Sequence, residues 1–284
     1  MPRRTIAKEI EAEGVALHAG TRVRMTLAPA EPGAGVLFHR SDLGGRAIIA
    51  RYDRVGETRL GTVIDDGAGA SVGVIEHLMA ALAGCEIDDI AVTLDGPEPP
   101  ILDGDALSYV RLIEAAGVAE TRGARETVKV LRPVEVAEGV AWAALFPAES
   151  RQFQFEIEFP SSVIGRQTFS WTFSCEGFAR DIAPARTFGF MHELEALNRA
   201  GLGRGASLKN TLAIDGERLL NAGLQRFPDE FVRHKMLDAI GDLALAGAPI
   251  LGRFEGRRSG HALNNQLLRA LFSEPANYER VRLP

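Results

Sequence analysis

With 284 residues the chain can form one large or two medium domains around a sizeable core. Its 46% hydrophobic and 25% charged residues are those of an ordinary globular protein, and a net charge of −6 argues against a nucleic-acid partner, whose phosphates need a basic footprint. Two separated cysteines, Cys85 and Cys175, exclude a disulfide framework or a cysteine zinc knuckle, so any metal must be held by histidines and carboxylates.

The basic start MPRRTIAKEI leads into no apolar signal region, and no stretch reaches the roughly 18 apolar residues of a membrane span, so a soluble cytoplasmic protein is expected. Strand-like alternation runs through TIAKEIEAEGVALH and TRVRMTLAPA. GVIEHLMAALAG then has a helical period, with Gly84 placed to stop it. DIAVTLDG reads as a strand, GPEPPILDGD as turns, and ALSYVRLIEAAG as a helix from an Asp105 N-cap to Gly117. VAETRGARE is polar and has no period; it reads as a linker, dividing the chain into residues 1–122 and 123–284. Strands resume in VKVLRPVEVAEG, VAWAALFPA, RQFQFEIEFP and QTFSWTFS, followed by a long helix in DEFVRHKMLDAIGDLALAG and a last one in HALNNQLLRALFS. Strands before helices in both halves predict α+β layers rather than a doubly wound parallel sheet. No short-period repeat is visible; a duplicated α+β unit would be hidden at this level.

Three of the six histidines stand in informative settings. On a helix, His234, Asp238 and Asp242 fall at i, i+4 and i+8 and share one face, while Val232, Met236, Ile240 and Leu243 lie about half a turn away, at ~100° per residue. His-x3-Asp can supply two ligands of one zinc ion, although a solvated helix face produces the same spacing. Glu76-His77 opens an apolar helix, where a glutamate beside a metal ligand can act as the general base of hydrolysis; a first-turn carboxylate favoured by the helix dipole is the plainer reading. His261 follows Gly260 at a helix start, which lowers its pKa unless a carboxylate, with Asp242 the natural candidate, raises it again.

Taken together, GVALHAG, IEHLMAALAG, DGPEPPILDGDA, ARTFGF, GASLKNTL, RFPDEFVRHKMLDAIGDLALAG and SGHALNNQLL resemble, in order and from about residue 4 to 270, the signatures of the UDP-3-O-acyl-N-acetylglucosamine deacetylase family of lipid A biosynthesis. The resemblance implies two similar α+β domains, each a sheet layered on helices and carrying a small insert, stacked β-α-α-β with the active site between them. It implies zinc on His77, His234 and Asp238, with Fe(II) the other ion such a donor set suits. Glu76 resembles the general base, His261 the group that stabilises the transition state and protonates the leaving amine, Asp242 its orienting partner, and Thr187 an oxyanion donor. Lys235 resembles a substrate-binding lysine, Phe188 a sugar contact and Arg258 a phosphate contact. His18 lies in a loop approaching the site, and the stretch from Phe188 to Leu208, including Ala206, corresponds to an apolar passage for the acyl chain. His39 and His192 match no functional position and read as surface histidines. The implied partner is a small acylated UDP-sugar, and a monomer is expected.

The pattern is also broken. FPSSVIG stands where relatives often carry His-Pro, Ala206 where a second glycine is usual, and Asp105 where serine is common. Two rival readings are a zinc amidohydrolase for another N-acetyl sugar nucleotide, separable by a substrate panel, and a catalytically silent binder, which would take ligand without releasing acetate.

Overall fold

A computed structural model describes residues 1–282. In the first half β1 (Pro2–Ile6) is followed by β2 (Ile10–Val15), β3 (Arg22–Pro29), β4 (Val36–Arg40) and β5 (Arg46–Ile49). A short hairpin of β6 (Ile64–Asp65) and β7 (Ser71–Val72) precedes helix α1 (Glu76–Gly84), strand β8 (Ile90–Leu94), helix α2 (Leu107–Ala116) and strand β9 (Val118–Ala124). Period-2 patterning builds the sheet: in β3 Val23, Met25 and Leu27 point into the core while Arg22 and Arg24 face out. The strand order is β2-β3-β8-β4-β5, antiparallel except for the β4–β8 pair.

The second half contains β10 (Glu126–Val130), β11 (Val134–Glu138), β12 (Ala141–Phe146), β13 (Gln152–Glu158), β14 (Arg166–Thr172) and the single turn α3 (Cys175–Gly177). An insert follows: β15 (Phe188–Phe190), α4 (Met191–Arg199), β16 (Leu212–Asp215) and β17 (Arg218–Leu219). Then come helix α5 (Glu230–Ala244), strands β18 (Ile250–Leu251) and β19 (Arg253–Arg257), helix α6 (His261–Ser273) and strand β20 (Tyr278–Arg282). Its main sheet has the order β11-β12-β19-β13-β14, again antiparallel except for the one pair, β13–β19. The two sheets therefore share strand order, direction and connection: β-β-β-β, insert, helix, central strand, helix. The duplicated unit is present, and the α+β class holds.

One local reading needs correction. VAETRGARE is largely β9, paired antiparallel with β1. Its side chains show no apolar period because this ribbon has no fully buried face, and backbone hydrogen bonds alone define it. The helix α1 does stop at Gly84, whose missing side chain admits the Phe178 ring, and the positive φ of 57° falls two residues on, at Glu86. Asp105 does cap α2, its Oδ1 accepting from the Ser108 N–H at 3.0 Å.

The core is one contiguous cluster running through both halves, with α1 and α5 packed together at its centre. Gly241 on α5 permits this: a β-carbon there would run into the Glu76 carbonyl oxygen of α1. Among the described residues no helix is long and apolar enough to cross a membrane.

Candidate metal centre and active site

The α1–α5 contact brings His77 to His234 and Asp238, and one ligand atom of each lies within 4.8 Å of the others. All three are buried. Asp238 Oδ1 stands 3.4 Å from His234 Nε2 and 3.6 Å from His77 Nε2. Lys235 Nζ donates to the other carboxylate oxygen, Oδ2, at 2.6 Å. His234 Nδ1–H donates to the Ala185 carbonyl at 3.1 Å, which leaves the Nε2 lone pair turned toward Asp238.

Asp238 Oδ1 is buried without a hydrogen-bond partner. Such an oxygen facing two imidazole nitrogens is costly unless a cation lies among them. The donor set fits a divalent ion, since two imidazoles and a carboxylate are three ligands with a position left over. The electrostatics agree. Burial pushes His234 down to about 3, so its ring is neutral as a ligand must be. Burial opposes ionisation of Asp238, yet the charged Lys235, donating to its Oδ2, holds its carboxyl well below the usual range.

Beside this cluster Glu76 and His261 face each other across 3.9 Å, from His261 Nε2 to Glu76 Oε1. His261 Nδ1–H donates to Asp242 Oδ2 at 2.9 Å. Burial alone would lower the His261 pKa, but Asp242 and Glu76 outweigh it and raise the pKa to about 9. Burial raises the Glu76 carboxyl above its ordinary value, against the opposing pull of His261 and His77.

Thr62 was not singled out by the sequence, yet it holds both carboxylates. Its N–H donates to Glu76 Oε2 at 2.9 Å and its hydroxyl to Asp242 Oδ1 at 2.5 Å. Asn264 adds a donor to Asp242 Oδ2 at 2.8 Å and is itself held by Ser259. Nothing in RLGTVID marks Thr62, which lies in a loop without period. Asn264 was findable, three residues beyond His261 on the same helix face.

The remaining predicted residues are placed less uniformly. Thr187 is half-buried at the entry to β15, its N–H donating to Gly104 and its carbonyl accepting from Leu212. Phe188 stacks edge-on at 5.1 Å from Phe231, with its ring centroid 6.2 Å from His234. Arg258 is exposed just beyond β19, its guanidinium 3.6 Å from Glu158. His18 is a bridge between the halves: Gly203 N–H donates to its Nδ1 at 3.3 Å, and its Nε2–H donates to the Leu60 carbonyl at 2.7 Å. Glu98, another residue missed, pins this loop by accepting from His18 N and Ala19 N. Gly205 takes the close approach, since a β-carbon there would strike the Ala16 carbonyl. Ala206, in the following turn, is half-buried. His192 is exposed beside Phe190, whereas His39 is half-buried within β4 rather than fully on the surface.

With this geometry in place, comparison with known proteins decides the family. A family model described as UDP-3-O-acyl N-acetylglycosamine deacetylase matches residues 3–273. The chain is 48% identical over 271 residues to the UDP-3-O-acyl-N-acetylglucosamine deacetylase of Phenylobacterium zucineum, covering 95% of this chain and 92% of that protein.

The chain belongs to the UDP-3-O-acyl-N-acetylglucosamine deacetylase family. Proteins of the same name from Myxococcus xanthus and Neisseria meningitidis are 45% and 43% identical, covering 98% and 99% of this chain and 89% and 93% of theirs. The similarity to these deacetylases thus spans both halves, and with them every residue of the cluster.

Proposed function

We propose that the chain hydrolyses the 2-acetamido group of a UDP-3-O-acyl-N-acetylglucosamine, releasing acetate and the free amine as the committed step of lipid A biosynthesis, in the cytoplasm. The observation that carries this reading is the convergence of Glu76 and His261 beside the His77, His234 and Asp238 cluster, in a chain of this family. These three residues would hold one zinc ion, and Fe(II) suits the same donors. Bound there, the ion supplies Lewis acidity, polarising the acetamide carbonyl and acidifying water.

Glu76 takes the proton of the attacking water as the new C–O bond forms. Its raised pKa suits a base working near neutral pH. Thr187 donates to the developing oxyanion, an electrostatic contribution of roughly 3 kcal/mol in other hydrolases. His261, cationic at neutral pH and oriented by Asp242, gives its Nε2 proton to the nitrogen as the C–N bond breaks. Lys235 keeps Asp238 ionised and contributes a positive charge beside the substrate. Phe188 packs against the sugar, and Arg258 meets the nucleotide phosphates.

The insert, clasped to the His18 loop, would hold the acyl chain along the stretch that includes Ala206. Support comes from its unburied apolar surface: α4 has no buried residue, and Met191, Leu208 and the neighbouring Leu60 are exposed. Each buried methylene would contribute ~0.8 kcal/mol, so about six give roughly 5 kcal/mol before ordering costs. The test is kcat/KM for acylated and unacylated UDP-N-acetylglucosamine. The unacylated substrate should be poorer by at least ~100-fold, and Ala206→Gln should harm the acylated one more. Equal values for the two would remove the insert from acyl binding.

A further inference from the structure

A cavity of about 310 Å³ lies between the halves and is lined by none of the cluster residues described above. Its apolar wall includes Met79 and Leu82 of α1 and Ile240 and Leu243 of α5. On α5 these two residues lie about half a turn from His234, Asp238 and Asp242, at ~100° per residue, so the cavity uses the opposite helix face from the metal centre.

Its other wall is cationic: Arg3, Arg51, Arg125, Arg151 and Arg280 line it, with Asp88 and Glu126. Arg51 is paired with Asp53, and Arg280 faces Glu126. The rest form a junction network in which Arg3, Arg4, Arg125 and Arg151 share only Glu86, Asp88 and Asp89, four guanidiniums to three carboxylates. Asp89 is fully used by Arg3 and by two backbone N–H groups. Glu86 is held by Arg125 at 2.9 Å and Arg4 at 3.2 Å, leaving Arg151 at 3.7 Å.

Arg151 is thus the surplus cation. Its side chain is 15% exposed, its guanidinium lies 3.5 Å above the Phe173 ring, and its Nε has no hydrogen-bond partner. Burial lowers its pKa to about 10, which still leaves it charged at neutral pH. A largely buried, charged fork whose one paired carboxylate, Glu86 at 3.7 Å, is shared with Arg4 and Arg125, beside a cavity with an apolar wall, is suited to a monoanion.

We propose that this cavity binds a compact organic carboxylate, its charged end on Arg151 and its apolar body against Met79, Leu82, Ile240 and Leu243. A single negative charge balances the single surplus positive one, which favours a carboxylate over a doubly charged phosphate. The planar guanidinium matches the planar carboxylate.

The test is calorimetric titration of the zinc-loaded, full-length enzyme with benzoate, with benzyl alcohol and inorganic phosphate as comparison probes, each with and without saturating deacetylated product. Benzoate should bind with a Kd of about 1 mM or tighter whether or not product fills the active site, and benzyl alcohol and phosphate should bind at least about tenfold more weakly. Arg151→Met should weaken benzoate binding at least about tenfold while acetate release is retained. Ala248→Leu, which narrows the cavity without changing charge, should do the same and decides the matter if Arg151→Met does not fold. Absence of benzoate binding, its loss when product is present, phosphate binding as tight as benzoate, or unchanged affinity in Ala248→Leu would overturn the proposal.

Discussion

Asp242 is the residue on which the acid–base arrangement rests, because Thr62, His261 and Asn264 all donate to its carboxylate. The protonated His261 ring faces Asp242 and Glu76, and these carboxylates, working against burial, raise its pKa from 6.5 to about 9. Removing the Asp242 charge leaves burial less opposed, so the pKa must fall. Asp242→Asn should therefore move the basic limb of the pH–rate profile downward, and an unchanged basic limb would show that another group sets it. The same shift links to stability: its contribution is full below pH 6.5 and is lost as pH rises through about 9. Thr62 belongs at this scale too. Thr62→Val keeps the shape and the N–H but deletes the hydroxyl bond to Asp242. Losing a hydrogen bond to a charged group costs about 1.5–3 kcal/mol, so kcat should fall roughly 10- to 100-fold with metal content unchanged, and Thr62→Ser should restore it. Metal loss in Thr62→Val, or equal defects in both variants, would mean that Thr62 serves packing rather than positioning.

Helices α1 and α5 carry Glu76, His77, His234, Asp238 and Asp242, and their separation is set by Gly241. Gly241→Ala would gain about 1 kcal/mol of helix propensity at most, while overpacking costs about 1–3 kcal/mol. Urea denaturation should show a net loss of stability, and acetate release should fall because the Glu76 backbone is displaced. Gly223→Ala, at a glycine with open space around it, should stay within about 0.5 kcal/mol of the parent. A Gly241→Ala protein as stable and active as the parent would refute the close-contact account. The elements themselves were largely legible. HALNNQLLRALFS is α6 residue for residue, and the period of RHKMLDAIGDLAL put His234 and Asp238 on one face of α5, where the structure brings them to His77. Reading failed where no apolar face exists to be seen: β9 is a solvated ribbon.

At the scale of the whole molecule, the two halves repeat one topology, and the centre forms where their paired helices meet. The duplication was hidden because strand order is written in hydrogen-bond register, and many unrelated alternating sequences satisfy the same register. Motif residues pointed to the His77, His234 and Asp238 cluster and the His261–Asp242 pair, but Thr62, which holds Glu76 and Asp242, and Glu98, which pins the His18 loop, lie in loops whose partners are distant in sequence. The insert and the His18 loop likewise meet only through folding. Whether this duplicated scaffold assembles one three-ligand zinc site that drives deacetylation is decided by stripping the protein of metal and titrating zinc back while measuring acetate released from the acylated UDP-sugar. Turnover should be negligible without metal, rise linearly and saturate at one zinc per chain, and fail to recover in His77→Ala, His234→Ala or Asp238→Ala. Full turnover by the metal-free protein, or full zinc-dependent recovery in any of those three variants, would contradict a three-ligand zinc site that drives deacetylation.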